Sequence, residues 1–454
     1  MDPVVIIPVY LSSRRRNGAG PVLTTYDHAT PLSQDGELPR CLDSLRKVRG
    51  LGHIVILAVA EGGIENQAAG KVYAIADRFP DLDITVIGAP EMALISQRME
   101  QLGIPCRREV ALAGYGAVRN VGLIVAAVLG FDSVVFLDDD AVIEDEGFLE
   151  KAMYGLGKLT PRGIPILAKT GFYLNDQDSY LSRHKSKWYN RFWDQAAAFN
   201  EWITGAMRGP RLSRSSHVCG GCMALHREAL RRVAFDPWIS RGEDLDYMIN
   251  LRIYGSDIWF DNQWFMRHLP PEKNQLSEGL RFRQDIFRWL YEFRKIEYGR
   301  TQIDLQPIKP ASLQPYPGPF LEQGIHKRIR RTALLRSIGR PDGRGYRRAA
   351  KAVAGEAEKY AEDNCMKYFE FQYKWPAIMA RIERDAMLKN ALLESDSRRR
   401  AHGARSAEER IAAAGGSKGP RPAAVAAPLP ARPAPSQLDA GKTMQIHLDM
   451  GANE

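Results

Sequence analysis

The amino-acid sequence predicts an α/β fold with a Rossmann-like, mixed but mostly parallel sheet that carries helices on both faces. Short, continuously apolar runs of strand length recur through the first 140 residues, and segments with helical periodicity lie between them. Several of these runs end in polar or charged residues, where open parallel sheets bind their ligands. A further helical region is predicted in the C-terminal part of the chain.

Four apolar runs predict the main strands. They are Val4 to Tyr10, His53 to Ala60, Asp83 to Gly88 and Ser133 to Leu137. Helices are predicted between them at Leu38 to Arg49, Gln67 to Arg78 and Ala113 to Leu129. Because the carboxyl ends of parallel strands meet at one edge of a sheet, we expect Tyr10, Glu61 and the acidic run after Leu137 to share that edge.

The pattern becomes mixed beyond residue 140. Strands are predicted at Pro165 to Tyr173, His217 to Leu225 and Asp257 to Phe260, and helices at Gly242 to Tyr254 and Leu280 to Tyr298. Between these elements, residues 188–211 are rich in tryptophan, phenylalanine and arginine. Such rings fit either a packed core or the apolar faces of sugars, and the sequence leaves both interpretations open.

The domain organisation follows from changes in composition. We expect an α/β domain over residues 1–305, a proline-rich connection at 306–322 and a charged helical region at 323–395. Residues 396–454 are dominated by Ala, Pro, Arg and Gly, a composition that predicts a disordered tail.

Charge and cysteine content limit the setting of the protein. The net charge of +9 suits an anionic partner. Five cysteines, an odd and sparse set, argue against a disulfide framework and favour a reducing cytosol. The opening residues do not resemble a signal peptide, and no apolar run approaches the roughly 20 residues that span a bilayer. We therefore expect a cytoplasmic protein, soluble or peripheral at the inner face of the membrane.

The most informative local feature is Asp138-Asp139-Asp140, which directly follows a buried strand. Adjacent carboxylates repel one another unless a cation lies among them, and hard divalent cations prefer oxygen ligands. Side chains alternate along an extended chain, so Asp138 and Asp140 should face the same side and Asp139 the other. A solvated acidic turn is the alternative interpretation.

Four features occur in a fixed order along the chain. They are the opening strand with Pro8, the segment Gly114 to Gly122 (GYGAVRNVG), the acidic run, and Arg241-Gly242-Glu243-Asp244. This ordered set resembles the GT-A glycosyltransferases, most closely the inverting family 2 group, over roughly residues 3 to 270. The resemblance implies a hexosyltransferase that moves a sugar from a nucleotide-diphosphate donor to an acceptor hydroxyl with inversion, with a divalent metal.

The resemblance also implies roles for individual residues. Asp244 would be the general base, and Glu243 would orient the acceptor or hold the start of the helix. The donor, a UDP- or GDP-sugar, would contact Pro8, Tyr10, Glu61, Arg119, Asp138 and Asp139. The metal, Mn²⁺ or Mg²⁺, would be held by Asp138, Asp140 and His268. The acceptor would be a carbohydrate or another glycan-type molecule.

Other functions remain open from the sequence. A sugar-1-phosphate nucleotidyltransferase would use a phosphate loop that Arg14 to Gly20 matches superficially, without the lysine that should follow. A non-catalytic basic scaffold would fit the charge, although no nucleic-acid motif occurs and no nucleic-acid partner is expected. Cys219 and Cys222, flanked by His217 and His226, suggest either a zinc site or two buried thiols.

Two regions have no assigned role. The segment Ser12 to Pro39 is longer than the usual turn after a first strand and would shape the donor or acceptor site. The C-terminal helical region would support a homo-oligomer, a membrane contact or an acceptor cleft. Basic side chains in residues 281–294 and 327–348 suit a phosphorylated acceptor or an anionic membrane, or form solvated faces.

Overall fold

The computed structural model describes residues 1–13, 26, 29–183, 186–271, 278–339 and 346–399. These residues lie within one compact unit, Met1–Gly403. The Arg14 to Gly20 segment, half of the Ser12 to Pro39 connection, and the predicted tail from residue 400 onward lie outside the described residues.

Within the described residues, ten strands form one sheet. They are β1 Pro3–Ser12, β2 Thr30–Pro31, β3 His53–Ala60, β4 Asp83–Ile87, β5 Ser133–Leu137, β6 Ala141–Val142, β7 Ala168–Leu174, β8 Leu212–Arg214, β9 Cys222–His226 and β10 Ile258–His268. Their order is β4-β3-β1-β5-β9-β7-β10-β6, with β2 paired to β1 and β8 paired to β10.

Helices lie before, between and after these strands. They are α1 Leu38–Leu45, α2 Glu65–Ala76, α3 Ala89–Gln101, α4 Tyr115–Leu129, α5 Phe148–Met153, α6 Gln195–Met207, α7 Arg227–Arg232, α8 Glu243–Ile253, α9 Glu278–Gly299, α10 Ile325–Gly339, α11 Tyr346–Ile382 and α12 at 386–399.

The sheet is mixed but mostly parallel. Strand β1 pairs in parallel with β2, β3 and β5, β3 with β4, and β7 with β10. Strand β9 lies between two groups of parallel strands and runs antiparallel to its neighbours in both, β5 and β7. The predicted fold class is therefore confirmed. The carboxyl ends of β1, β3, β5, β7 and β10 meet at one edge, where β9 begins.

The core lies on both faces of the sheet. Along β1, Val4 and Ile6 pack into one apolar cluster while Val5 and Ile7 pack into the other. This alternation is the reason that a strand covered on both faces has an uninterrupted apolar sequence. None of the helices in the described part of the chain combines the length and apolar character needed to cross a membrane.

Some element boundaries differ from those predicted. Strand β10 continues to His268, because the polar residues after Phe260 are accommodated at an irregularity in its pairing with β7. There, the carboxylate of Asp261 is buried against the ammonium group of Lys169 at 3.0 Å. A charge inside a strand breaks the apolar pattern, so the sequence indicated too early an end.

The strand predicted from His217 begins only at Cys222. The Cys222 N–H donates to the Cys219 carbonyl at 2.9 Å, so the C-x-x-C segment forms a turn before β9. Helices α3 and α6 were not predicted, and α1 ends at Leu45 rather than at Arg49.

The C-terminal helices pack against the α/β part of the chain. The indole Nε1–H of buried Trp375 on α11 donates to the Leu230 carbonyl at 2.8 Å. After α11, the Arg384 N–H donates to the Ala127 carbonyl at the end of α4 at 3.0 Å. The proline-rich connection forms two short 3₁₀ turns, which bury Leu313 and Phe320.

Candidate active site

Most of the predicted site residues meet at the carboxyl edge of the sheet. Asp138 to Asp140 follow β5, Glu61 follows β3, and His268 is the last residue of β10. Arg119 extends from α4, while Glu243 and Asp244 begin α8. The contacts below join distant parts of the chain, such as Arg119 and Glu243, which are 124 positions apart.

Arg119 connects the two acidic segments. Its Nε–H donates to Oε1 of Glu243 at 3.2 Å, and its Nη2 lies 3.4 Å from Oδ1 of Asp138. The guanidinium is only 4% exposed and lies 4.7 Å above the Phe136 ring. A buried cation between two carboxylates holds the acidic run and the start of α8 in a defined relative position.

A two-glycine turn forms a second link between the same segments. The Gly220 N–H donates to Oδ2 of Asp244 at 3.0 Å, and the Gly221 N–H donates to the Tyr173 hydroxyl at 2.7 Å. That hydroxyl donates in turn to Oδ2 of Asp138 at 3.3 Å. A Cβ atom on Gly221 would lie 2.4 Å from Asp138 Cγ, so the close approach requires glycine.

The neighbouring carboxylates of Glu243 and Asp244 have different environments. Glu243 is buried, and burial raises its pKa to about 7 despite the opposing charge of Arg119. Asp244 is only partly buried, and its Oδ1 also accepts the Leu245 N–H at 2.7 Å. Gly242 before them has a φ of 67°, a left-handed conformation that starts α8 with both acids in its first turn.

Asp140 and His268 lie together at the end of the sheet. Oδ2 of Asp140 is 3.1 Å from Nε2 of His268. Burial disfavours the protonated imidazole, but the Asp140 carboxylate outweighs this effect, so the pKa of His268 is raised. Adjacent ligands of an octahedral ion with bonds near 2.1 Å are about 3 Å apart, so this spacing fits a shared divalent cation.

The described residues contain no group of three or more His, Cys, Asp or Glu side chains arranged as a complete metal site. Asp140 and His268 are close enough to share one cation, and the charge of Asp138 contributes to the raised pKa of His268. A site of this kind suits Mg²⁺ or Mn²⁺, which commonly keep coordination positions for phosphate oxygens and water.

Asp139 differs from Asp138 in the charges that surround it. Burial raises its pKa well above the usual range, and its neighbours Asp140, Asp138 and Glu37 add to this effect. Burial also raises the pKa of Asp138, but there the charge of Arg119 opposes the rise. Residues 139 and 140 form a turn in which the Ala141 N–H donates to the Asp138 carbonyl at 3.1 Å, so the alternation expected of an extended chain stays a prediction.

Three tyrosine rings pack at the end of β1. The centroid of Tyr10 lies 4.4 Å from that of Tyr26 and 5.4 Å from that of Tyr115, and the Gly114 N–H donates to the Tyr26 hydroxyl at 2.9 Å. The Tyr10 hydroxyl is buried without a hydrogen-bond partner among the described residues. Pro8 is buried in the middle of β1, which continues to Ser12.

Glu61 lies beside this tyrosine cluster. The Ser13 N–H donates to its Oε2 at 3.4 Å, and its charge contributes to the raised pKa of Tyr26, of which burial is the main cause. The structure therefore brings Glu61 and Tyr10 to the same side of the site.

The other side of Asp244 is lined by groups that the sequence did not assign to the site. Arg288 on α9 donates from Nη2 to the Gly242 carbonyl at 3.4 Å and from Nε to Glu292 at 3.1 Å. Its position explains why residue 242 is glycine, since a Cβ atom there would lie 2.1 Å from Arg288 Cζ.

His217 lies in an aromatic enclosure near Asp244. Its ring centroid is 4.9 Å from Phe199, 5.2 Å from Trp202 and 5.4 Å from Tyr316. Burial lowers the pKa of His217 to about 4, partly opposed by Asp244, so the imidazole is neutral at pH 7. Phe199 and Trp202 of the aromatic stretch thus pack against His217.

The zinc interpretation of the C-x-x-C segment finds no support. His226 is at the start of α7, where its Nδ1 accepts the Glu228 N–H at 3.3 Å, while His217 lies in the aromatic enclosure. Cys219 and Cys222 are both buried, and burial raises the pKa of each thiol. They are two buried thiols, the second of the alternatives considered.

Three site residues escaped the sequence analysis, and a fourth, Arg288, was considered only as one of the basic side chains of residues 281–294. Tyr173 was the last residue of a predicted strand, so its position on the active edge was a usable signal. Tyr26, Tyr115 and Arg288 had no comparable signal, because their proximity to the site depends on how distant segments pack.

Comparison with known proteins assigns the fold and site to a class. A family model described as "Glycosyltransferase like family 2" matches residues 32–286, which is more than half of the chain. The protein therefore belongs to the glycosyltransferase-like family 2, and it is a glycosyltransferase of the GT-A type. No curated protein matches the chain in sequence.

The chain is distantly similar to solved structures of other proteins. The chain is similar to the mannosyltransferase PcManGT from Pyrobaculum calidifontis in complex with GDP-Man and Mn²⁺, with a TM-score of 0.43 and 14% identity over 86% of each chain. It is also similar to glucosyl-3-phosphoglycerate synthase from Mycobacterium tuberculosis in complex with Mn²⁺ and UDP-glucose, with a TM-score of 0.31 and 16% identity over 59% of this chain and 71% of that chain.

Proposed function

We propose that this glycosyltransferase moves a hexosyl group from a UDP- or GDP-sugar to a hydroxyl of a carbohydrate or other glycan-type acceptor, with inversion, and that Asp244 is the general base. The observation that carries the proposal is the Gly220-Gly221 turn, which ties Asp244 to Asp138 through Tyr173. The carboxylate that we assign to the donor and the carboxylate that we assign as the base are thereby held near each other.

The choice of Asp244 over Glu243 rests on their environments. Inversion requires one carboxylate that takes the proton from the attacking hydroxyl. Glu243 is buried and bound to Arg119, whereas Asp244 is partly open and is oriented by the N–H groups of Gly220 and Leu245. We assign Glu243 the role of holding the start of α8, together with Arg119.

For the donor side, we propose that Asp140 and His268 hold Mn²⁺ or Mg²⁺ with Asp138. When bound, such an ion stabilises the negative charge that develops on the leaving diphosphate. Arg119 and Tyr173 keep Asp138 in position, and Tyr10 and Glu61 lie where the nucleoside would bind. Membership of a glycosyltransferase family favours this function over a nucleotidyltransferase or a basic scaffold.

Asp140→Ala tests the metal. A panel of nucleotide sugars is screened by thermal shift with Mn²⁺, and transfer or donor hydrolysis is measured with the best donor. We expect Asp140→Ala to lose the Mn²⁺-dependent shift and the activity while retaining its far-UV CD spectrum. Asp43→Ala, at a carboxylate that is 67% exposed, is the control. Full activity of Asp140→Ala would rule out the metal assignment.

Asp244→Asn tests the base. The amide keeps the shape of the side chain but cannot take a proton, so donor binding should persist while transfer falls by about 10²- to 10⁴-fold. The anomeric configuration of the wild-type product, read by NMR, reports inversion. A retained configuration, or unchanged turnover in Asp244→Asn, would contradict this mechanism.

A further inference from the structure

Helix α10 presents an exposed stripe of mixed chemistry. Lys327, Arg331, Leu334 and Ile338 follow one another at helical spacing and are all exposed. We call these four residues the α10 stripe. Leu334 is 39% exposed and Ile338 68% exposed, so the helix shows apolar side chains to solvent at one end and cations at the other.

Trp188 stands beside the apolar end of the α10 stripe. A Cβ atom on Gly339, next to Ile338, would lie 2.9 Å from Cζ2 of Trp188, and the indole is 58% exposed. The other seven tryptophans of the chain are each at most 9% exposed. Trp188, Leu334 and Ile338, which we call the apolar patch, are thus three exposed apolar side chains near the C-terminal end of α10.

A groove of about 900 Å³ adjoins this patch between α10 and α11. Apolar side chains from both helices line it, including Ile329, Ala333, Ala350 and Ala354. Its basic side chains, which we call the basic rim, are Arg330, Arg331, Arg347, Lys351 and Lys359.

The acidic side chains of the groove do not cancel this charge. Glu358 pairs with Arg294 and, at 2.8 Å, with His326, and Glu362 lies 3.5 Å from the same arginine. Arg294 lies outside the groove lining and also pairs with Glu297, so it offsets these carboxylates only in part. Within the lining, five Lys and Arg side chains face two carboxylates. The basic rim therefore keeps its net positive charge.

We propose that this face docks on an anionic phospholipid bilayer, with the basic rim at the headgroup phosphates and Trp188, Leu334 and Ile338 in the interfacial layer. An amphipathic helix with cations beside apolar and indole side chains is the pattern of interfacial binding. Each Lys or Arg near an anionic surface adds about a factor of five in binding, equivalent to ~1 kcal/mol. A nucleic acid would match the charge but would leave the apolar patch in water.

Vesicle sedimentation of the full chain tests the docking. Binding is expected to phosphatidylcholine vesicles that contain phosphatidylglycerol, with little binding to phosphatidylcholine alone. The double variant Arg330→Gln/Lys351→Gln should bind about 30-fold more weakly, whereas Lys47→Gln/Arg107→Gln, an equal loss of exposed charge elsewhere, should bind like the wild type. Equal weakening in both double variants, or no preference for the anionic vesicles, would overturn the proposal.

Native fluorescence tests the insertion. Trp188 is the exposed tryptophan, so vesicles with brominated acyl chains should quench its share of the wild-type emission. The Trp188→Phe variant lacks that share, and its remaining emission should not be quenched. Ile338→Glu should lower binding, while Ile303→Glu, at a fully exposed isoleucine, should not. Unchanged quenching in Trp188→Phe would overturn the proposal. Donor hydrolysis in solution should be unchanged in all these variants, so this test is separate from that of the catalytic function.

Discussion

Replacing Gly221 by alanine tests how strongly the function depends on the position of Asp138. A Cβ atom at residue 221 would lie 2.4 Å from both Cγ and Oδ2 of Asp138, and 2.9 Å from its backbone nitrogen. Favourable contacts between such atoms are about 3.5–4 Å long. The Asp138 side chain must therefore move by roughly 1 Å.

That movement disturbs both of the contacts that orient Asp138. The hydroxyl of Tyr173 lies 3.3 Å from one carboxylate oxygen, and Nη2 of Arg119 lies 3.4 Å from the other. A displacement of ~1 Å in a positioned group costs about 10²-fold in rate. We therefore expect kcat/KM for the donor to fall about 100-fold, or about 2.7 kcal/mol. Overpacking should also cost about 1–3 kcal/mol of folding free energy.

The assay is transfer or hydrolysis with the donor that the thermal-shift panel identifies, accompanied by urea unfolding of each variant. Gly62→Ala is the matched control, since no atom lies within 4 Å of a Cβ built there. A folded Gly221→Ala variant with activity within about threefold of wild type would refute the reasoning. So would an equal loss of activity in Gly62→Ala.

Two further predictions concern buried charge. Burial lowers the pKa of His217 from 6.5 to about 4. Between these two pH values the unfolded chain therefore binds more protons than the folded protein does. The stability that is present above pH 6.5 is lost as the pH falls. His217→Phe should remove up to about 3 kcal/mol of this acid sensitivity, measured by urea unfolding at pH 7.5 and 4.5. A difference from wild type that does not change with pH would contradict the prediction. Lys295 is buried 2.5 Å from Asp236 and 2.7 Å from Asp246, so Lys295→Met should cost about 3–5 kcal/mol in the same unfolding assay. Lys367→Met, at an exposed position, should cost less than about 0.5 kcal/mol, and a similarly small cost for Lys295→Met would argue against the buried-ion account.

The sequence was sufficient for those parts of the fold that depend on local patterns. The runs at Val4, His53, Asp83 and Ser133 became the parallel strands β1, β3, β4 and β5. A strand covered on both faces needs apolar side chains at every position, and this requirement is visible without any knowledge of its neighbours. The ordered motifs likewise indicated the glycosyltransferase family that the family model matches.

Local patterns were insufficient where a distant partner changes what a residue can tolerate. Asp261 appeared to end the last strand because a charge rarely occurs within one. In the structure, Lys169 lies 92 positions away in the chain and neutralises it inside the sheet. Such a compensation cannot be read from either segment alone.

The sequence by itself determined the sheet, the edge at which the site would form and the chemical groups available there. Only the tertiary structure decided what each group does next to the others. Glu243 and Asp244 are adjacent and chemically alike. Glu243 is buried against Arg119, whereas Asp244 is only partly buried and accepts a hydrogen bond from the Gly220 N–H. The physical reason is that burial and hydrogen-bond partners depend on which distant segments pack together. That packing is set by the order and direction of the strands in the sheet.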